Sequence, residues 1–147
     1  MLISHGAVIL VIDGAKMSIF RNCGKDFAAD LELIEQNAKH ASSTVELGTD
    51  KPGRIFGSKR RARSAYHSTD YHQAEEHAFA TAAVEKLNSL AQQSHLDFIV
   101  VAAPRVLGVM RQHYSSGLRK LIVAEIPKDY ARRPVADVAE LLRHHEQ

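Results

Sequence analysis

Apolar and polar positions change their period several times along the chain, and each change marks an element. Ala7–Asp13 (AVILVID) is an almost unbroken apolar run closed by Asp13-Gly14, and Met17–Phe20 (MSIF) resumes it. Two apolar runs around Asp-Gly predict a β-hairpin, because glycine accepts the positive φ that a tight turn needs. From Asp30 to His40 the pattern alternates at first, which predicts a third antiparallel strand with Leu31, Leu33 and Glu35 on one face. Residues 41–69 carry Gly, Ser, Thr and Pro without any period and read as a long loop. Loops of this length are uncommon in compact domains and tend to be functional or disordered.

Asp70 then resembles an N-cap, with Gln73 three positions on as its capping-box partner. Phe79, Ala83, Leu87 and Leu90 follow at helical spacing, so a long amphipathic helix is predicted from Tyr71 to about Gln93. Asp97–Pro104 (DFIVVAAP) is a continuous β-rich run of the kind buried on both faces. Pro104 suits the first position of a helix, with Leu107, Met110 and Tyr114 on one face and Gly117 near its end. Leu121–Ile126 (LIVAEI) reads as a second buried strand. Pro134 opens the last helix, with Val135, Val138, Leu141 and Leu142 inward. Asp137 in its first turn and Arg143 and His144 in its last agree with the helix dipole.

The predicted order is three antiparallel strands followed by α-β-α-β-α. This is an α/β domain with a single mixed five-stranded sheet and helices packed on it. The same succession belongs to the ribonuclease H-like sheet and to the middle domain of eukaryotic and archaeal peptide-chain release factors. A chain of 147 residues suits one domain over residues 1–147. With 45% hydrophobic and 24% charged residues, the composition is globular rather than disordered.

Charge changes the picture more. The formal net charge is only +2, yet six Lys and Arg and no Asp or Glu lie between Lys51 and Thr69. Without those six the remainder carries −4. Such local gathering of cations is the pattern of an anion-contacting patch. Lys51, Arg54, Lys59, Arg60, Arg61 and Arg63 are the candidate phosphate contacts, and Tyr66 and Tyr71 the candidates to stack on unpaired bases of RNA. The plainer reading of the same residues is a solvated loop.

Other candidate chemistry is thinner. Asp13 resembles the first-strand carboxylate of a Mg²⁺-dependent nuclease, with Glu75 and Glu76 as candidate neighbours, but Asp is favoured before Gly in a turn for its own sake. His72 and Glu76 share a helix face, whereas His67, His72 and His77 are five apart and cannot meet at one ion from one helix. Exposed or capping histidines are expected, including His144 and His145, and no metal or cofactor is predicted. The single cysteine, Cys23, excludes an internal disulfide, and no base is evident beside it. Lys128, Tyr130, Arg132 and Arg133 form a second basic stretch after the last strand. No window approaches a membrane span or a signal core, so the expectation is a soluble, cytoplasmic protein.

Several strings resemble the bacterial host-attachment protein family, the group described as required for attachment to host cells. They are VIDGAKMSIF (11–20), PGRIFGS (52–58), RSAYHSTDYHQAEEHAFA (63–80), APRVLGVMR (103–111) and VAEIPKDYARRPVADV (123–138). Together they run nearly end to end. The resemblance implies a fold similar to the release-factor middle domain, a link to RNA or the ribosome, and no enzyme activity. Those release factors use a Gly-Gly-Gln tip, and this chain has no Gly-Gly pair. Peptidyl-tRNA hydrolysis by that means is therefore not expected, and any role in attachment is expected to be indirect. The alternatives are a regulatory protein acting through protein partners and a metal-dependent ribonuclease H-like nuclease.

Overall fold

A computed structural model describes residues 1–25, 28–38 and 73–145. The strands are β1 (Val8–Ile12), β2 (Lys16–Asn22), β3 (Leu31–Ala38), β4 (Phe98–Ala102) and β5 (Ile122–Ile126). Helix α1 occupies residues 73–93. Three more follow: α2 (Pro104–Arg111), α3 (Ser116–Leu121) and α4 (Val135–His144). The five strands form one mixed sheet in the order β3-β2-β1-β4-β5. β1 pairs antiparallel with β2, and β2 with β3, whereas β1, β4 and β5 run parallel.

β1 and β4 are buried at every position because both faces of the sheet are covered. Val8, Leu10 and Ile12 point into a core closed by α1, α2 and α3, which contribute Leu87, Met110 and Leu118. Ile9 and Val11 point the other way, into a second core with Phe20, Ile126 and the α4 residues Val138 and Leu142. The hairpin turns at the expected place, but Gly14 does not take the positive φ expected of it; among the described glycines only Gly6 does. The Asp13 amide donates to the Lys16 carbonyl at 2.9 Å. Asp13 Oδ1 accepts from the amides of Ala15 at 2.8 Å and Lys16 at 2.7 Å.

Four further sequence expectations need correction. First, the β2–β3 register shifts between Ile19 and Phe20, so Leu33 lies opposite Phe20 and Glu35 opposite Ile19. Leu33 and Glu35 therefore face opposite sides, because the bulge adds one residue and inverts the alternation after it. Second, the single helix expected after Pro104 is two. Asn88 of α1 holds the intervening turn, donating to the His113 carbonyl and accepting from the Ser115 amide. Ser115 then caps α3, its Oγ accepting from the Leu118 amide at 3.0 Å. Third, Val135 is 43% exposed rather than inward: it is the first residue of α4, whose buried residues are Val138 and Leu142. Fourth, β5 is a sheet edge and only partly buried.

The turn between α2 and α3 is also tied to β5. Tyr114 donates its hydroxyl to Glu125 Oε2 at 2.8 Å, and Arg111 Nε reaches Glu125 Oε1 at 3.2 Å. The Arg119 guanidinium lies 5.7 Å from the Tyr114 ring centroid. Burial and the Glu125 bond push the Tyr114 phenol well above its ordinary pKa. Tyr114→Phe is expected to cost about 1 kcal/mol in urea unfolding near neutral pH. The tyrosine's contribution is whole below about pH 10, the unfolded-state value, and declines as pH rises towards the folded-state value. The difference between wild type and variant should therefore narrow in alkali.

Candidate functional site

The strand polarity defines the site. β1, β4 and β5 are parallel, so their carboxyl ends lie along one edge, which is where open sheets of this kind place ligands. The Asp13-Gly14 turn, the start of α2 and the segment after β5 meet there. Ala38, at the end of β3, pairs with Lys16 beside that turn. Glu76, early in α1, packs against Gly14: a Cβ on Gly14 would stand 2.9 Å from Glu76 Cγ and Cδ. The described residues that bracket the basic segment, Ala38 and Gln73, therefore both lie at this edge. Lys51, Arg54, Lys59, Arg60, Arg61, Arg63, Tyr66 and Tyr71 themselves lie outside the described residues, as do His67, Asp70 and His72.

Two features of the edge are basic. In the segment after β5, the Arg133 guanidinium stacks 4.5 Å from the Tyr130 ring centroid and stands 4.0 Å from Asp137. Its neighbour Arg132 reaches back to β1, with Nε 3.7 Å from Asp13 Oδ2. Lys128 is exposed, and at the start of α2 so is Arg105. Neither pairs with a carboxylate among the described residues. Between α1 and α2, a cleft of about 200 Å³ is lined by Gln73, Glu76, His77, Ala80, Arg105, Val106 and Val109. The His77 ring meets the edge of His113, with centroids 6.0 Å apart.

Asp13 is occupied as a turn residue and as the partner of Arg132. The carboxyl end of β4 contributes Ala102 and Ala103. Among the described residues no three His, Cys, Asp or Glu side chains gather to hold a metal ion. Glu76 does approach the turn, as the nuclease reading requires, but it brings no further carboxylate with it. Cys23 is exposed and donates to Glu32 Oε2 at 3.1 Å. That bond holds its thiol pKa up, the opposite of an activated nucleophile. A larger groove of about 570 Å³ lies away from this edge, between Met1–Ile3, Ala28–Ala29 and α4. Its charged groups are Glu140, Arg143 and the Met1 ammonium, which donates to the Arg143 carbonyl.

The sequence did not mark Gln73, His77 or Arg105 as residues of a site. The one signal for Arg105 was its position just after a buried parallel strand. Nothing local ties Gln73 and His77 to it, because the contact joins elements about 30 residues apart in sequence.

Comparison with known proteins agrees with the sheet order. Residues 6–142 match the bacterial archaeo-eukaryotic release factor family 12. The chain is also similar to an uncharacterized protein, RP470, of Rickettsia prowazekii (strain Madrid E). The two are 26% identical over 135 residues, which is 87% of this chain and 86% of the relative. Among the described residues, no helix is long and apolar enough to cross a membrane.

Proposed function

The chain belongs to bacterial archaeo-eukaryotic release factor family 12, and from that premise we propose that it is a non-enzymatic RNA-binding protein associated with translation, on the ribosome in the bacterial cytoplasm. Its contacts are Lys51, Arg54, Lys59, Arg60, Arg61 and Arg63, with Tyr66 and Tyr71 stacking on unpaired bases. The observation that supports the reading is where the described residues on either side of this segment lie. Ala38 and Gln73 stand at the edge that also holds Arg105 and Lys128, neither of which pairs with a carboxylate among the described residues. In this reading the cations of the segment act together with Arg105 and Lys128, and Arg is suited to the task because its planar fork pairs with phosphate and stacks on bases.

The chain has no Gly-Gly pair, so the reading includes no peptidyl-tRNA hydrolysis by a Gly-Gly-Gln tip. Neither the family description nor the relative's name speaks of host attachment. That role rests on the sequence resemblance alone and would be a downstream effect.

The test is a salt titration of binding to single-stranded RNA. If four of the cations meet phosphates, log K should fall with log salt at a slope of about −3. That is about a fifty-fold loss of affinity between about 50 and 200 mM salt. Replacing all six cations of the segment with alanine should flatten the slope. Binding that ignores salt would sink the proposal.

A second reading, a regulatory factor acting through protein partners, is favoured by the groove beside α4, where Leu2 is 59% exposed. Cross-linking in growing cells separates the two: ribosomal RNA and proteins for the first, other proteins for the second.

A further inference from the structure

The cleft between α1 and α2 has the makings of a base-sized site. Its floor is apolar, formed by Ala80, Val106 and Val109, and its rim is polar, formed by Gln73, Glu76, His77 and Arg105. At about 200 Å³ it is smaller than pockets for drug-sized ligands, which run from about 300 Å³. Glu76 is half-buried, yet among the described residues its carboxylate has no hydrogen-bond or ion-pair partner. A carboxylate at the rim of an apolar cleft offers its acceptors to a ligand that brings donors. Gly14 matters here, because the space left by its missing side chain takes Glu76 Cγ, the carboxyl Cδ and Oε1.

We propose that this cleft is a nucleobase pocket in which Glu76 reads guanine, a reading that rests on the RNA-binding function above. An ionised carboxylate only accepts hydrogen bonds, and its two oxygens can accept from two adjacent donors. Of the four RNA bases, guanine alone presents two adjacent donors, N1–H and N2–H₂, on its Watson–Crick edge. Adenine and cytosine place an acceptor beside their amino group, and uracil flanks its single N–H with two carbonyls. Unpaired bases are read on that edge and stacked on flat cationic or aromatic groups. His77 and Arg105 supply such groups at the rim, and Arg105 also carries charge for the adjoining phosphate.

The experiment measures binding of short single-stranded RNAs by fluorescence anisotropy at one salt concentration. The RNAs are an all-uridine strand and the same strand with one central guanosine or one central adenosine. The guanosine strand should bind at least about tenfold tighter than the other two. Glu76→Gln should erase that preference, because the amide offers one acceptor and one donor to two donors. Glu76→Asp, which keeps the charge, should retain part of it, and this separates recognition from a folding defect. Equal binding of all three strands, or a preference that survives Glu76→Gln, overturns the pocket while the RNA-binding reading stands. If no strand binds, that reading fails. GMP and UMP are then titrated while backbone amide shifts are followed at residues 73–80 and 105–109. Shifts with GMP alone keep the pocket, and no shifts, or equal shifts with both nucleotides, remove it.

Discussion

Asn22→Ala is expected to lower stability by about 3 kcal/mol, a large loss for a single polar residue. Asn22 ends β2 and is fully buried. Its Nδ2 donates to the carbonyls of Ile3 at 3.2 Å and Ser4 at 3.1 Å. Its Oδ1 accepts from the amides of Gly24 and Asp30, each at 3.0 Å. One side chain thus satisfies four backbone groups from three segments: the N-terminal stretch, the exit from β2 and the approach to β3. A typical net contribution of about 1 kcal/mol per bond, partly recovered by water at the half-exposed partners, leads to the figure above. Urea unfolding measures it, and hydrogen exchange at Gly24 and Asp30 should rise with it. Asn22→Asp should recover only part, because it keeps the acceptors but turns a negative oxygen towards the Ile3 and Ser4 carbonyls. An unchanged unfolding midpoint for the alanine variant would show that these bonds contribute nothing net.

Ile9→Ala and Leu10→Ala are each expected to cost about 3–4 kcal/mol. The two residues are consecutive, both have 0% exposure, and they point into opposite cores. A strand covered on one face would show the loss at every second position only. β1 should show it at both, since α1, α2 and α3 cover one face and α4 with the N-terminal stretch covers the other. Leu33→Ala on β3 is the internal comparison. With Leu33 49% exposed at the sheet edge, its loss should stay near 0.5 kcal/mol. Chemical unfolding of the three variants decides the point, and a tolerant Ile9 or Leu10 would contradict the two-core arrangement.

These effects divide along the line between local pattern and long-range contact. FIVVA announces a strand covered on both faces because burial on both faces selects apolar residues at every position, whereas VILVI announced only a strand of the hairpin. Asp13-Gly14 announces its turn because the Asp13 carboxylate bonds to amides two and three residues on. The inward face of α1 follows in the same way from helical spacing of Ala83 and Leu87. In each case the deciding interactions lie within a few residues, or depend only on which face is dry. The second basic stretch was visible as charge, but its stacking of Arg133 on Tyr130 and the return of Arg132 to Asp13 were not.

By itself, then, the sequence determined the strand or helix nature of most elements, the two-sided burial of β4 and the concentration of cations in one segment. Only the tertiary structure decided which ends of those elements meet. The bulge that turns Leu33 and Glu35 to opposite faces depends on β2, and the break between α2 and α3 depends on Asn88 of α1. The cleft at Glu76 depends on α1 lying beside both the β1 turn and the start of α2. None of these has a local signature, because each rests on contacts between segments far apart in the chain, whose proximity is set by strand order and not by the residues' own propensities.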